Sequence, residues 1–513
     1  PFLLPDMKKA VARLKQARKQ GEKIVIYGDY DIDGLSATAL LLDAFGKFGF
    51  KDVDAFIPNR FIEGYGMTMG AVDKVRDMGA DLIVTVDTGS LCHTEIAYAA
   101  SLGIDTVVTD HHNVAETPPP SVAAVNPKFS GHTYPFRDLC GAGVAFKLVQ
   151  ALQTELDGLP DGYEKWLLDL VALGTVCDIV TLADENRANV YWGLEVLKKQ
   201  QRPGLKALMA VAGIEPERVN ARHLGFGLGP RMNAAGRLET AQHALDMLVA
   251  RDGLAALEAS EKLEELNVKR RGIQDTIFEE ACVQAEELAD DRVLVVSSDG
   301  WNHGVIGIVA SKLVEKYKKP VFIIGERGEE ATGSARSFGD FSAADAVRAA
   351  DDIIIKGGGH GAAAGVTLAT GKIGDFRRRV NEFYDSLQLT NQERYLLPRA
   401  DVEIDDFSEI DEELVENLAK MEPFGNGNPE PVVKITTAIV LSVRRMGVDG
   451  QHVKLALRDK NDKVLQMLAF NAPEEFFREP GDEVAAWFQP TVNEWQGVRT
   501  VEGKLLHVVV ATY

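Results

Sequence analysis

Four short segments carry carboxylates or imidazoles where strand-like or helical runs end: GDYDIDG (28–34), VDTG (86–89), TDHH (109–112) and GTVCD (174–178). They supply Asp29, Asp31, Asp33, Asp87, Asp110, His111, His112 and Asp178. Carboxylate oxygens and imidazole nitrogens gathered at one sheet edge suit hard divalent cations. Two such cations about 3.5–4 Å apart form a general device for cleaving phosphate esters. If the strand before GDYDIDG continues in extended form, Asp29, Asp31 and Asp33 point to one side. Gly34 then permits a turn into the next helix. A calcium EF-hand loop also begins D-x-D-x-D-G, but it needs a Glu at its twelfth position, where this chain has Leu40. A solvated turn without ligands is the bland alternative for this motif alone. Asp87 by itself reads equally as a helix cap, and adjacent histidines are more often structural than ligating. The joint occurrence of all four segments between residues 29 and 178 is what points to a metal site.

The surrounding pattern must place these residues together. KIVIYG (23–28), VDAFIP (53–58), DLIVTVD (81–87), IDTVVTD (104–110) and VAAVN (122–126) read as strands separated by helical stretches. That βαβ rhythm predicts an α/β fold with a largely parallel sheet, whose carboxyl edge binds ligands. Residues 141–199 turn helical. Residues 238–291 hold no proline and two glycines, with Leu254, Leu257, Leu263, Leu266, Ile273 and Ile277 at helical spacing. This predicts either an amphipathic helix pair or one long connecting helix. A second α/β unit begins near Arg292. The acidic stretch 401–416 and the loop EPFGNGNPEP (422–431) mark a further boundary. About five strands follow, which favours a small barrel of the OB type over a β-sandwich.

The chain has 513 residues and a formal net charge of −21. Phosphate contacts favour basic proteins, yet the acids are concentrated: nine fall between Asp401 and Glu416, with no Lys or Arg among them. Bound cations would also add local positive charge. No apolar run reaches 18 residues, so no membrane span is expected. No secretory signal is visible at the start of the chain, and the scattered Cys92, Cys140, Cys177 and Cys282 suit a reducing, cytoplasmic setting.

The ordered set DYDIDG, VDTG, DHH and GTVCD resembles the four motifs of the DHH phosphoesterase superfamily. GSARS (333–337) and GGGHGAAAG (357–365) resemble its associated DHHA1 substrate-binding domain. PNRFIEGYG (58–66), GFGLGPRMNAAGR (225–237) and EPFGNGNPEP narrow the resemblance to the RecJ exonuclease branch. The resemblance implies a DHH catalytic domain over 1–237, a connecting helical segment over 238–291, a DHHA1 domain over 292–392, and an acidic linker with an OB-like barrel over 393–513.

It also implies roles. Asp31 and Asp87, assisted by Asp29, would hold one divalent cation, Mn²⁺ or Mg²⁺. Asp33, Asp87, His111 and Asp178 would hold a second, and His112 would contact the scissile phosphate. Many members of the superfamily have a His where this chain has Tyr27, a poor ligand, so the first site would lean on Asp29 and water. Arg60, Ser334 and Arg336 would grip a 5′-phosphate, and Arg231, Asn233, Arg237 and His360 would line the strand's path. The implied activity is 5′→3′ hydrolysis of single-stranded DNA to mononucleotides, in DNA repair and recombination, by a monomer. Single-strand-binding protein and a recombination helicase are the implied partners. Trp487, Phe488 and Trp495 could stack bases on the barrel, with core positions as the first expectation. The rival readings are a phosphodiesterase for oligoribonucleotides or small nucleotides, and a non-catalytic replication scaffold.

Overall fold

The computed structural model describes residues 1–64 and 66–511, with the side chains of Glu393 and Trp495 outside the described set. Tyr65 of PNRFIEGYG and the Trp495 ring therefore lie outside the described residues. The chain forms two compact units. One comprises Pro1–Glu279 with Pro423–Asn428, and the other Glu280–Glu422 with Pro429–Tyr513.

The first unit holds β1 (Ile24–Gly28), β2 (Val53–Phe56), β3 (Leu82–Val86), β4 (Asp105–Thr109) and β5 (Ala123–Val125). All pair in parallel, in the order β2-β1-β3-β4-β5. The central strands β1 and β3 are buried along their whole length because both faces are covered, as parallel sheets require, whereas the edge strand β2 is partly exposed. Alternate residues choose the face. Ile24, Ile26, Val84, Val86 and Val107 pack with α1 (Met7–Gln20) and α2 (Ile32–Phe48). Val25, Tyr27, Ile83 and Val108 pack against α3 (Met69–Asp77) and α4 (His93–Ser101). The helices α5 (Gly141–Gln153), α6 (Leu168–Cys177), α7 (Asp184–Lys198), α8 (Pro203–Val211), α9 (Gly229–Leu238) and α10 (Gln242–Val249) complete the unit. The strand order reverses between β1 and β3, and ligands bind such sheets at the carboxyl ends flanking the reversal.

The region 238–291 contains both a short helix and a long one. After α10 comes α11 (Gly253–Glu287), 35 residues without interruption. The expected apolar stripe is displaced: Leu254 is 68% exposed, whereas Leu263 and Leu266 are fully buried. Ser260, Asn267, Arg270 and Gln274 are buried as well, so the buried side of α11 is part polar.

In the second unit, β6 (Leu294–Asp299), α12 (Ile306–Tyr317), β7 (Val321–Arg327), β8 (Glu330–Arg336), α13 (Ala343–Arg348), β9 (Ile354–His360), β10 (Ala363–Ala369) and α14 (Ile373–Ser386) form a mixed sheet with its helices. The strand order is β6-β7-β8-β10-β9. GGGH is no loose turn. It is the end of the edge strand β9, held in the ladder by β10. Then follow β11 (Val402–Ile404), α15 (Glu412–Ala419), β12 (Val433–Met446), β13 (His452–Arg458), β14 (Val464–Ala469), β15 (Glu483–Trp495) and β16 (Val498–Val510). Strands β12-β13-β14-β16-β15 close on themselves through the β12–β15 pairing, so this is a five-stranded barrel and not a sandwich. Trp487 and Phe488 are buried in it. The acidic stretch is ordered too: β11 pairs with β12, and Asp411 caps α15. Among the described residues no helix is long and apolar enough to cross a membrane.

Candidate metal centre and strand-binding surfaces

The carboxyl ends of β1, β3 and β4 deliver the acidic cluster. β1 stops at Gly28, so the three aspartates of GDYDIDG do not alternate along a strand as the sequence suggests. Asp31 instead caps α2, its Oδ1 accepting from the backbone N–H of Asp33 (2.9 Å) and Gly34 (3.1 Å). Asp33 consequently sits in the first turn of α2. A Cβ on Gly34 would lie 2.6 Å from the Asp29 carbonyl oxygen, so only glycine lets this turn fold back on itself. Asp87 follows β3 with φ +60°, a left-handed conformation that non-glycine residues adopt rarely, often at functional sites. Asp178 caps the carboxyl end of α6, where the helix dipole disfavours an anion and favours a cation beside it.

Three sets of donors converge, each with ligand atoms within 4.8 Å of one another: Asp29/Asp31/Asp87, Asp33/His111/Asp178, and Asp87/His111/His112. His111 Nε2 lies 3.0 Å from Asp87 Oδ1, 3.5 Å from Asp178 Oδ2 and 3.7 Å from Asp33 Oδ2. Burial, then the charge of His112, pushes His111 down to about 3, so the ring is neutral. Asp29 Oδ1, both Asp87 oxygens and His111 Nε2 are buried without a hydrogen bond. Such atoms cost free energy unless something occupies the space they face. Lone pairs of oxygen and neutral imidazole repel one another, and a divalent cation removes that repulsion. The residues therefore fit divalent metal. Burial, then neighbouring carboxylates, pushes Asp29 up to about 7, Asp33 up to about 6 and Asp178 up to about 8, and raises Asp87 far above the usual range.

The supporting shell escaped the sequence reading. Asp110 is not free to ligate: it accepts from the N–H groups of Ser90, His111 and His112, and from His112 Nδ1 at 2.9 Å. Burial opposes the His112 imidazolium, but the Asp110 hydrogen bond and charge outweigh it and lift His112 to about 9. Asn126, just past β5, donates to the His112 carbonyl (2.9 Å) and to Ser90 Oγ (2.8 Å). Both Asp33 oxygens accept from the amino end of α5, from Gly141 N (2.5 Å) and Ala142 N (2.9 Å). Two glycines make room: a Cβ on Gly141 would lie 2.6 Å from Asp87 Cβ, and one on Gly174 would lie 2.4 Å from Asp33 Oδ1. Tyr27 is turned away, its hydroxyl donating to the Gly66 carbonyl at 3.1 Å. Cys177 donates to the Leu224 carbonyl and makes no metal group among the described residues.

The substrate-binding candidates divide. In the first unit the Arg60 guanidinium lies 5.6 Å from the centre of the Tyr30 ring, and the charge of Arg237 also acts on that ring. Asn233 is half-buried on α9. Arg231 is engaged elsewhere, paired with Glu264 at 2.5 Å and donating to the Gly227 carbonyl at 2.7 Å. In the second unit, register places Arg336, Ala363 and His360 in one row, and Ser334, Gly365 and Gly358 in the next. Opposed residues share a face, so Ser334, Arg336 and His360 flank a shelf floored by alanine and glycine. Arg336 Nη1 donates to Ser334 Oγ (3.2 Å) and the Ala335 carbonyl (2.8 Å). Burial lowers its pKa, and among the described residues no carboxylate contributes to offset that. Gly307, in the first turn of α12, gives Arg336 its space.

Comparisons with known proteins agree with this geometry. Models of the DHH family N-terminal domain, the DHHA1 domain and the RecJ OB domain match residues 23–175, 290–386 and 400–507. The chain is 39% identical over 504 residues to the single-stranded-DNA-specific exonuclease RecJ of Bacillus subtilis, covering 96% of this chain and 62% of that protein. It thus spans less than two thirds of that relative's length. It is 34% identical over 535 residues to the protein of the same name from Dickeya dadantii, covering 99% of this chain and 91% of that one. The crystal structure of RecJ in complex with Mn²⁺ from Thermus thermophilus matches with a TM-score of 0.84 and 30% identity, over 99% of this chain and 72% of that one. On this sequence identity over nearly the full length of a relative, the chain belongs to the RecJ family of single-stranded-DNA-specific exonucleases.

Proposed function

We propose that the chain hydrolyses single-stranded DNA from its 5′ end, releasing mononucleotides, with two divalent cations at the Asp87 cluster. The observation that carries this reading is the pair of donor groups, Asp29/Asp31/Asp87 and Asp33/His111/Asp178, at one sheet edge of a chain of this family. Bound there, Mn²⁺ or Mg²⁺ would supply positive charge to a phosphodiester and lower the pKa of water. Asp87 belongs to the first group, and its Oδ1, 3.0 Å from His111 Nε2, would let it serve the second as well. His112, held by Asp110, presents a protonated ring to the scissile phosphate. Arg336 and Ser334 offer fork and hydroxyl donors to a terminal 5′-phosphate, and a guanidinium without a carboxylate is free to take one. Arg60, Asn233, Arg237 and His360 contact the strand, and the glycine shelf lets its backbone approach. Arg231 braces the turn at Gly227. The barrel offers a further surface for single-stranded DNA. Family membership supports a cytoplasmic role in DNA repair and recombination, as a monomer acting with single-strand-binding protein and a helicase.

The test offers end-labelled single strands, duplexes and dinucleotides with Mn²⁺ or Mg²⁺. Ordered release from the 5′ end of single strands is expected. Preference for duplex, or indifference to the end, overturns the reading, and preference for dinucleotides favours a small-substrate phosphodiesterase. Arg336→Gln should erase the preference for a 5′-phosphate over a 5′-hydroxyl.

A further inference from the structure

Between α8 and α9 the chain makes a π-helical turn, His223–Leu228. Such turns are rare and frequently lie at functional sites. Here the turn anchors itself with Leu224 and Leu228, both fully buried, and raises Phe226 between them to 78% exposure. Phe226 is flanked by Gly225 and Gly227, so no neighbouring side chain shields the ring. A Cβ on Gly227 would lie 3.0 Å from Ile214 Cδ1, which explains why the turn can sit so low while the ring stands clear. The Arg222 guanidinium lies 5.6 Å from the ring centre, and Arg222 makes no ion pair among the described residues. Arg231 holds the Gly227 carbonyl from the other side and is itself fixed by Glu264.

The turn adjoins the metal centre. Leu224 accepts from Cys177 Sγ, and a Cβ on Gly229 would lie 3.1 Å from the same sulfur. Cys177 immediately precedes Asp178. A large aromatic ring kept in water on a turn that packs against the residue before Asp178, with a cation against it that makes no ion pair among the described residues, has the makings of a site for a flat, π-faced ligand attached to an anion. A nucleobase on its phosphodiester backbone is that ligand: the ring takes the base by stacking and the guanidinium takes the charge.

We infer that Phe226, with Arg222, is a stacking platform for one base of the strand whose phosphodiester lies at the Asp87 cluster. This rests on the proposed action on single-stranded DNA. It adds a discriminating element, because a base held in a duplex is stacked on its neighbours and its face is not available to the ring.

The experiment moves one abasic residue along a single-stranded oligonucleotide. Binding is measured by anisotropy in EDTA, and cleavage with Mn²⁺, for wild type, Phe226→Ala and Phe226→Trp. Wild type should lose roughly tenfold in affinity when the abasic residue occupies one particular position. Phe226→Ala should bind the intact strand roughly tenfold more weakly and show no such position dependence, while Phe226→Trp retains it. Unfolding temperature and Mn²⁺ affinity should not change, since the ring is exposed and is no ligand. If Phe226→Ala matches wild type at every abasic position, the inference fails while the proposed function stands. If wild type neither binds nor cuts the intact strand, the proposed function fails first.

Discussion

His111 Nε2 and Asp87 Oδ1 stand 3.0 Å apart, and neither atom is hydrogen-bonded. A neutral imidazole nitrogen and a buried carboxylate oxygen in that arrangement need a cation. Asp87→Asn is therefore expected to abolish cleavage with either metal and to lower Mn²⁺ affinity. Asn tolerates the left-handed backbone of position 87, so the fold survives. The metal-free variant should be more stable than metal-free wild type near neutral pH, by about 1–3 kcal/mol, because Asn carries neither a buried charge nor the proton uptake that burial imposes on the Asp87 carboxyl. Calorimetric Mn²⁺ titration and thermal melts in EDTA check both statements. Residual cleavage, or a lower melting temperature, would show that Asp87 does not serve two cations.

Without metal, the carboxyls of Asp29, Asp33 and Asp178 titrate at about 7, about 6 and about 8, raised by burial and by one another. The unfolded chain releases these protons near 3.8. The stabilisation that comes from holding them is complete below that value and is lost as pH rises through the folded values. The EDTA-treated protein should thus melt at progressively lower temperature between about pH 4 and pH 8, and Mn²⁺ should restore most at the upper end. Mn²⁺ binding near pH 6.5 should release protons, measurable as a buffer-dependent heat. A flat melting profile in EDTA contradicts this.

Neighbouring glycines of the shelf should behave oppositely. Gly358 has nothing within 4 Å of an added Cβ, so Gly358→Val should keep its melting temperature but weaken single-strand binding several-fold. Gly359 has φ +150°, and its Cβ would lie 2.4 Å from the Ala363 carbonyl oxygen. Gly359→Ala should lose about 1–3 kcal/mol of stability. Equal effects of the two substitutions on stability would remove the geometric basis of the shelf.

Asn426, in the loop EPFGNGNPEP, reaches the segment that follows Asp178. Its carbonyl accepts from Leu182 N at 2.6 Å, and its side chain donates to the Ile179 carbonyl at 2.8 Å. Ile179 follows Asp178 with φ +60°. Asn426→Ala should weaken Mn²⁺ binding by about 10- to 100-fold, the scale for groups that orient ligands, and kcat should fall with little change in KM. Asn426→Asp keeps an acceptor but loses the donor and should not rescue. Unaltered Mn²⁺ affinity in the alanine variant would make the loop merely structural.

Much of this was legible before folding. Short, largely apolar runs gave away the five strands of the first sheet, because the inner strands of a parallel sheet are buried on both faces. Closely spaced Asp and His at run ends marked the side chains that fold into one donor cluster, since no solvated loop needs so many there. Where local pattern and tertiary packing diverge, the reading slipped. GDYDIDG looks extended, but α2 begins at Ile32, because Asp31 is a better helix cap than a strand residue. Leu254 and Leu257 fit the helical period yet face water, since period alone does not say which face finds a partner.

The sequence by itself determined the donor types, their order and the elements that carry them, because those follow from side-chain chemistry and short-range periodicity. Tertiary structure alone decided that Asp110 orients His112 instead of ligating, that the amides of α5 hold Asp33, that Arg231 braces a turn, and that a loop near residue 426 holds the segment just after Asp178. Each of these is a contact between segments distant along the chain, and its geometry is set by how sheet, helices and glycines pack. No spacing in the sequence encodes that.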